Sequence, residues 1–265
     1  MPAKSFFEPG RVCLSLAAFP GLRHEEAAHA AAGGHHEELL LGVLSTSHLQ
    51  LVPQNFGVLT ENLCAALQRA HPGTRFRLHA NVRVLPRHQH ADLSGFDLFL
   101  PWFIQAAKVH RWLRAEVYSA HAGRRREATM EQLLDNARRA ADLFECPVAI
   151  EGHYPSAGDQ YLVASWKEYQ QLLESRLPFA LDLSHLHIVA TSSGRIEATL
   201  VKEMLSSDSC LEVHVSTNDG QGDQHRICAD TPWWADCIAS IHPHAVIFSE
   251  GNHRLGKHEG GRHVQ

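Results

Sequence analysis

Eight short apolar runs, separated by stretches of helical pattern, constrain this chain more than any other feature. They are VCLSLA (Val12 to Ala17), HLQLVP (His48 to Pro53), RFRLHA (Arg75 to Ala80), AEVYSA (Ala115 to Ala120), PVAIEG (Pro147 to Gly152), FALDLS (Phe179 to Ser184), LEVHVS (Leu211 to Ser216) and AVIFSE (Ala245 to Glu250). Each is apolar and partly β-branched or aromatic, as a strand buried on both faces must be. The clearest helix runs from Thr129 to Phe144, where Met130, Leu133, Leu134, Ala137, Ala141 and Phe144 make one apolar face and Thr129 caps it. SWKEYQQLLES starts at Ser165, an N-cap residue with Glu168 at the capping-box position. TENLCAALQRA, GRIEATLVKEML and TPWWADCIASI read as further helices, and Gly21 to Gly42 reads as a helix interrupted at Gly33-Gly34. Strand–helix alternation repeated eight times predicts an α/β fold, a single (β/α)8 barrel. The length of 265 residues suits one such domain over 1–265, with a flexible tail from about 251 to 265.

The ends of these runs carry chemistry. From the third onward they finish in or run into His79, His121, Glu151, Asp182 with His185, His214, and Glu250, with Asp223 and His225 in the loop after the seventh. In such barrels function sits at the carboxyl ends of the strands, so these nine side chains share one mouth. A carboxylate buried at a strand end is costly unless paired or metal-bound. Glu151, Asp182 and Glu250 together therefore call for cations, and bridging carboxylates with terminal imidazoles suit two or three metal ions. Asn55, Asn81, Arg83 and His153 are candidate substrate-binding residues, and the Arg124-Arg125-Arg126 run could hold a carboxylate. His24, His29, His35, His36, His88, His90, His258 and His263 fall in polar helix, loop or tail and are expected to be solvated.

Composition removes several alternatives. Lys and Arg number 24 against 29 Asp and Glu, a net charge of −5, which is no footprint for nucleic acid. No apolar run reaches the roughly 18 residues of a membrane span, and the start of the chain has no signal-peptide pattern, so a cytoplasmic protein is expected. The six cysteines form no CxxC pair and read as reduced, mostly buried thiols; Cys228 and Cys237, which follow Asp223 and His225, are the two to watch.

The metal-type pattern is similar to that of the apurinic endonuclease/xylose-isomerase-like TIM-barrel superfamily. Within it the chain resembles the multinuclear non-heme iron-dependent oxidative enzymes, the family of the methanobactin-biosynthesis oxidase. LQLVPQNF (Leu49 to Phe56) resembles that family's strand ending in Pro-Glu-Asn-Tyr, and AIEGHYPS (Ala149 to Ser156) its Leu-Glu-Asn-Pro-Ser segment. KEYQQLLESRLPFALDLSHLHIVA resembles its helix followed by Leu-Asp-Val-Asn-Asn, and EVHVSTNDGQGDQHRICADTPWW its Glu-Ile-His strand, Asp-Thr-His loop and Pro-Val-Trp. His185 stands where the oxidative family often has Asn, Gln54 where it usually has Glu, and Gly152-His153 where Asn follows the bridging Glu.

The resemblance implies two or three irons with a mixed-valent Fe(II)/Fe(III) pair, O2 as cosubstrate, and a substrate thiolate bound to iron. The substrate would be a cysteine of a ribosomally made or carrier peptide, one branch excising the β-carbon of a C-terminal cysteine toward 3-thiaglutamate. A small peptide-recognition protein would join as a heterodimer partner. The alternative is a zinc-dependent endonuclease-type phosphodiesterase or a sugar isomerase/epimerase of the same superfamily. The first calls for basic loops, against a net charge of −5 and few lysines; the second usually relies on one or two divalent ions, which leaves Asp223, His225 and His185 surplus under a single-metal scheme.

Overall fold

The computed structural model describes residues 5–254. All eight expected strands form: β1 (Val12–Ser15), β2 (Ser45–Leu51), β3 (Arg75–Leu78), β4 (Tyr118–His121), β5 (Val148–Glu151), β6 (Phe179–Asp182), β7 (Cys210–Val215) and β8 (Val246–Ser249). They pair in parallel in chain order, and β8 closes on β1, giving a barrel without a free edge. Seven α-helices cover the outside among the described residues: α1 (His24–Gly33), α2 (Glu61–Ala70), α3 (Leu100–Leu113), α4 (Met130–Phe144), α5 (Trp166–Glu174), α6 (Leu183–Ser193) and α7 (Ala198–Ser206). An eight-residue 3-10 helix, Trp233–Ser240, takes the helix position before β8. The fold is thus the expected single (β/α)8 TIM barrel. No helix among the described residues is long and apolar enough to cross a membrane.

Local chemistry explains the helix starts. Thr129 Oγ1 accepts from Gln132 N while Gln132 Oε1 accepts from Thr129 N, a reciprocal cap for α4. Leu133, Ala137 and Phe144 face inward as expected, joined by Asn136 and Ala140.

Four local expectations are corrected. Ser165 holds the N-cap position of α5, but its hydroxyl bonds no first-turn N–H; it donates to Glu168, which also accepts from Ala164 N and pairs with Arg125. The carboxylate is the stronger acceptor and draws the hydroxyl's proton, so the first-turn N–H groups go uncapped by Ser165. TPWWADCIASI forms the 3-10 run rather than an α-helix, beginning just after Pro232, which has no N–H to give. Beyond Gly34 the helix does not resume; Glu37–Glu38 and Gly42–Val43 pair as a short antiparallel ribbon. His24 is fully buried, not solvated, because the first turn of α1 packs onto the barrel.

The remaining expected-solvated histidines divide. His29, His35 and His90 are exposed, His36 and His88 are half-buried, and His258 and His263 lie outside the described residues. The start of the expected tail is anchored: Asn252 N donates to His225 O, and His253 N to Ala18 O. Residues beyond 254 lie outside the described ones. All six cysteines are free, and five are buried. Burial pushes the Cys228 thiol up to about 12, and neither it nor Cys237 lines the cleft at the barrel mouth.

Candidate metal centre

Parallel register sets the donors at one height. His121 is the register partner of Glu151, and Asp182 that of His214. Glu250 follows β8 directly, its N–H bonded to Val215 O, and His79 follows β3 with its N–H on Leu51 O. Asp182 ends β6 and caps α6 at once: Oδ1 accepts from Ser184 N at 2.6 Å and His185 N at 3.1 Å. That leaves Oδ2 free, with His185 Nε2 at 3.5 Å on the first turn of the helix. Asn81 and His225, both at the mouth, hold left-handed backbone at φ 60° and 46°. Such strain in residues other than glycine gathers where function fixes the chain.

The structure brings all nine expected donors together. Each of four imidazoles has one nitrogen held from behind. His79 Nδ1 meets Ser119 Oγ at 3.0 Å, His185 Nδ1 meets Gly152 O at 2.9 Å, His214 Nε2 meets Glu212 at 3.2 Å, and His121 Nδ1 meets Asp92 at 3.3 Å. The other nitrogens face carboxylates. His79 Nε2 is 3.5 Å and His214 Nδ1 3.3 Å from Glu151 Oε2, and His121 Nε2 is 4.0 Å from Oε1. His185 Nε2 is 3.6 Å from Asp223 Oδ2, and His225 Nδ1 is 3.4 Å from Glu250 Oε2.

Most of these spacings are long for hydrogen bonds. They suit atoms sharing an ion: two donors about 2.1 Å from one centre at a tetrahedral angle sit about 3.4 Å apart. Glu151 Oε2, His214 Nδ1 and His225 Nδ1 are buried and have no hydrogen-bond partner. Three overlapping triads, His79–Glu151–His214, Glu151–Asp182–His185 and Asp182–His214–Glu250, each bring one donor atom per residue within 4.8 Å of the others. Glu151 and Asp182 are shared between triads, as bridging carboxylates would be; His214, also shared, offers Nδ1 to one ion because its Nε2 is on Glu212. The donor set, imidazole and carboxylate without thiolate, fits two or three ions of the Zn, Fe or Mn kind.

The electrostatics demand positive charge here. No lysine or arginine pairs with Glu151, Asp182, Asp223 or Glu250 among the described residues, and with no ion the imidazoles are the available cations. Burial resists charge on His185, yet Asp182, Asp223 and Glu151 push its pKa up to about 10. His225 rises against burial to about 9 through Asp223 and Glu250. His214 rises well above the ordinary value against the same resistance, because Glu151 and Glu250 face it. Burial pushes Glu250 up to about 7, with His214 and His225 restraining the rise. For His79 burial wins, and its pKa falls to about 3.

A cleft of about 250 Å3 opens onto these donors, lined by His121, His185 and Asp223 with Asn81, His90, Asp92, Arg124, His153, Tyr154 and Tyr161. His153 is buried and stacked on Tyr161, with ring centroids 4.3 Å apart. Desolvation drives its pKa down to about 3, so the ring is neutral. Asn81 donates to Asp92 at 2.8 Å and lies 3.2 Å from His121 Nδ1. Asn55 and Arg83 are bonded to each other instead, Arg83 Nε to Asn55 O, and do not line the cleft. Of the arginine run, Arg125 pairs with Glu168 and Asp159, and Arg126 lies near Glu127. A larger groove of about 620 Å3 between Leu98 and Arg139 contains none of the nine donors.

Sequence reasoning missed the residues behind the donors. Arg77 Nη1 donates to Glu212 Oε1 at 2.9 Å, and Gln50 Nε2 to Glu212 Oε2 at 3.1 Å, all inside the barrel below His214. Burial opposes the Glu212 charge, but His214 and Arg77 hold its pKa down to about 2. The available signal was alternation: Arg77 stands two before His79 and Glu212 two before His214, hence on the same strand face. Asp92, on a loop, offered no such signal.

No family model matches the chain, and no curated protein matches it in sequence. Solved structures do. A D-tagatose 3-epimerase-like protein is 13% identical with a TM-score of 0.64, over 91% of this chain and 90% of that one. An AP endonuclease, family 2, from Brucella melitensis is 16% identical with a TM-score of 0.62, over 97% and 100%. The IOLI protein, solved with a zinc atom, is 12% identical with a TM-score of 0.59, over 93% and 91%. At these identities the likeness establishes the barrel fold alone.

Proposed function

We propose that the protein is a metal-dependent enzyme that holds two or three ions on nine side chains at the barrel mouth and acts on a group small enough to enter the cleft. The observation that carries this reading is the buried meeting of bare donors, with Glu151 Oε2 and His214 Nδ1 facing each other at 3.3 Å and neither otherwise bonded. His79, His121 and Glu151 would hold one ion; Glu151, Asp182, His214 and Glu250 a second; His185, Asp223 and His225 a third. Such ions supply Lewis-acid or redox chemistry when bound. The chain's own groups do the rest. Ser119, Asp92, Glu212 and the Gly152 carbonyl fix the imidazole orientations. His153 and Tyr161 form a neutral wall of the cleft.

The finer reading is iron- and O2-dependent modification of a peptidyl cysteine, the peptide being presented by a small recognition protein. It is supported by the sequence motifs around Leu49–Phe56 and Glu212–Trp234 and by a donor set too large for one ion. A second reading, zinc-dependent isomerisation or hydrolysis, is supported by the activities named for the similar solved structures. Its sugar branch suits a 250 Å3 cleft, whereas its phosphodiester branch meets a cleft lined, among the described residues, by a single arginine. Metal analysis and Mössbauer spectroscopy on anaerobically purified protein, with O2 uptake in the presence of a cysteine peptide, separate the two. Iron with thiol-dependent O2 uptake is expected. Stoichiometric zinc, with no uptake after iron reconstitution, would sink the oxidative reading and leave the hydrolytic or isomerising one.

A further inference from the structure

Two loops at the mouth are laced together into a rim. Leu162 N donates to Gly123 O, Arg125 N to Gln160 O, and Arg124 bridges Tyr161 in antiparallel fashion. Arg124 N is fixed a second time by Ser94 Oγ at 2.8 Å. The same rim holds His153, whose N–H donates to Val163 O and whose carbonyl accepts from Tyr169. Backbone bonds therefore preset Arg124, Tyr161 and His153 on one side of the cleft.

Two polar groups on this wall are unspent. The Arg124 guanidinium, half-buried, makes no ion pair or hydrogen bond among the described residues, although its neighbour Arg125 binds two carboxylates. His153 Nε2, in the lining of the same cleft, is buried without a partner. A buried polar atom left unbonded costs free energy, and a rigid wall carrying one beside a free guanidinium is arranged for something that enters. Among the described residues Arg124 is the only arginine or lysine lining the cleft, and Asp92 and Asp223 line it too. One positive charge among carboxylates matches a monoanion better than a phosphate dianion.

We propose that Arg124, Tyr161 and His153 form a recognition subsite for a substrate carboxylate, whose reactive end then lies over the metal donors. The inference rests on the metal-enzyme reading above and adds the substrate's class: a carboxylic acid. The guanidinium takes the carboxylate, and the Tyr161 hydroxyl and His153 Nε2 meet polar groups next to it.

The test uses full-length protein loaded with Zn(II) and calorimetric titration of paired probes. N-acetylcysteine is compared with its carboxamide as a thiol arm, and glycerate with glycerol as a polyol arm, which separates a peptide terminus from a sugar acid. We expect the acid of at least one pair to bind about 10-fold or more tightly than its neutral partner, the scale of a charge-assisted bond. Arg124→Gln should abolish that preference, leave the neutral probe's affinity unchanged and keep wild-type metal content. Tyr161→Phe, which preserves the stack on His153, should weaken the acid alone. The subsite is overturned if neither pair shows a preference, if the preference survives Arg124→Gln, or if glycerol 3-phosphate binds more tightly than glycerate. Failure to load metal would count against the metal reading instead.

Discussion

Arg77→Met offers a demanding check on the interior of the barrel. Arg77, 5% exposed, donates at 2.9 Å to Glu212, which is fully buried. Removing it leaves a carboxylate with only Gln50 and His214 as partners, under the metal donors and out of reach of water. Breaking a buried pair from one side costs about 3–5 kcal/mol, because the surviving charge is uncompensated. For a chain of this size that is a fall of about 6–20 °C in Tm. Arg77→Met with Glu212→Gln removes both charges and should recover part of the loss, giving a coupling of about 2 kcal/mol in a double-mutant cycle. The assay is urea unfolding of wild type, both single variants and the double variant, in chelator so that bound ions do not contribute. A cost for Arg77→Met below about 1 kcal/mol, the range of a solvated pair, would refute the reasoning.

Three further outcomes follow from the same geometry. Burial holds His24 and His110 down to about 4, so the native state resists protons that the unfolded chain accepts near 6.5. The contribution of these two residues is full above about pH 6.5 and falls as pH drops toward 4, by up to about 3 kcal/mol for each, and His110→Leu should flatten part of that acid limb in pH-dependent denaturation. Asp182→Asn keeps an Asn N-cap for α6 but weakens a shared donor, so metal content should drop with Tm in chelator changing little; Asp182→Ala should lose the metal and also about 1 kcal/mol of cap. Ser165→Ala should cost less than about 0.5 kcal/mol and Glu168→Ala clearly more by urea titration, because Glu168, not Ser165, bonds Ala164 N and Arg125.

The strands were legible because a parallel strand buried on both faces leaves a continuous apolar run, as VAIE and FALD do. The donors were legible for the same reason: a charged or imidazole side chain at the end of such a run has no solvent to excuse it. Residues that act across the barrel were not legible. Arg77 and Glu212 are 135 positions apart, and only closure of the sheet reveals them as partners. Asp92 reaches His121 from an irregular loop, and His24 lies in an Ala-rich, weakly amphipathic helix whose buried side the sequence barely marks. The α3 helix, Leu100–Leu113, carries Pro101 in its first turn, where a proline costs a helix nothing.

The account's central claim is a multinuclear metal centre, and the most direct test is the number of ions per chain. Protein purified without chelators and loaded under anaerobic conditions with Fe(II) or Zn(II) should carry two or three tightly bound ions by mass spectrometry of the digested sample. Glu151→Ala, which removes the carboxylate shared between triads, should lower that number by more than one while the circular dichroism stays that of the barrel. One ion or none in the wild type, with all nine donors intact, would contradict the account.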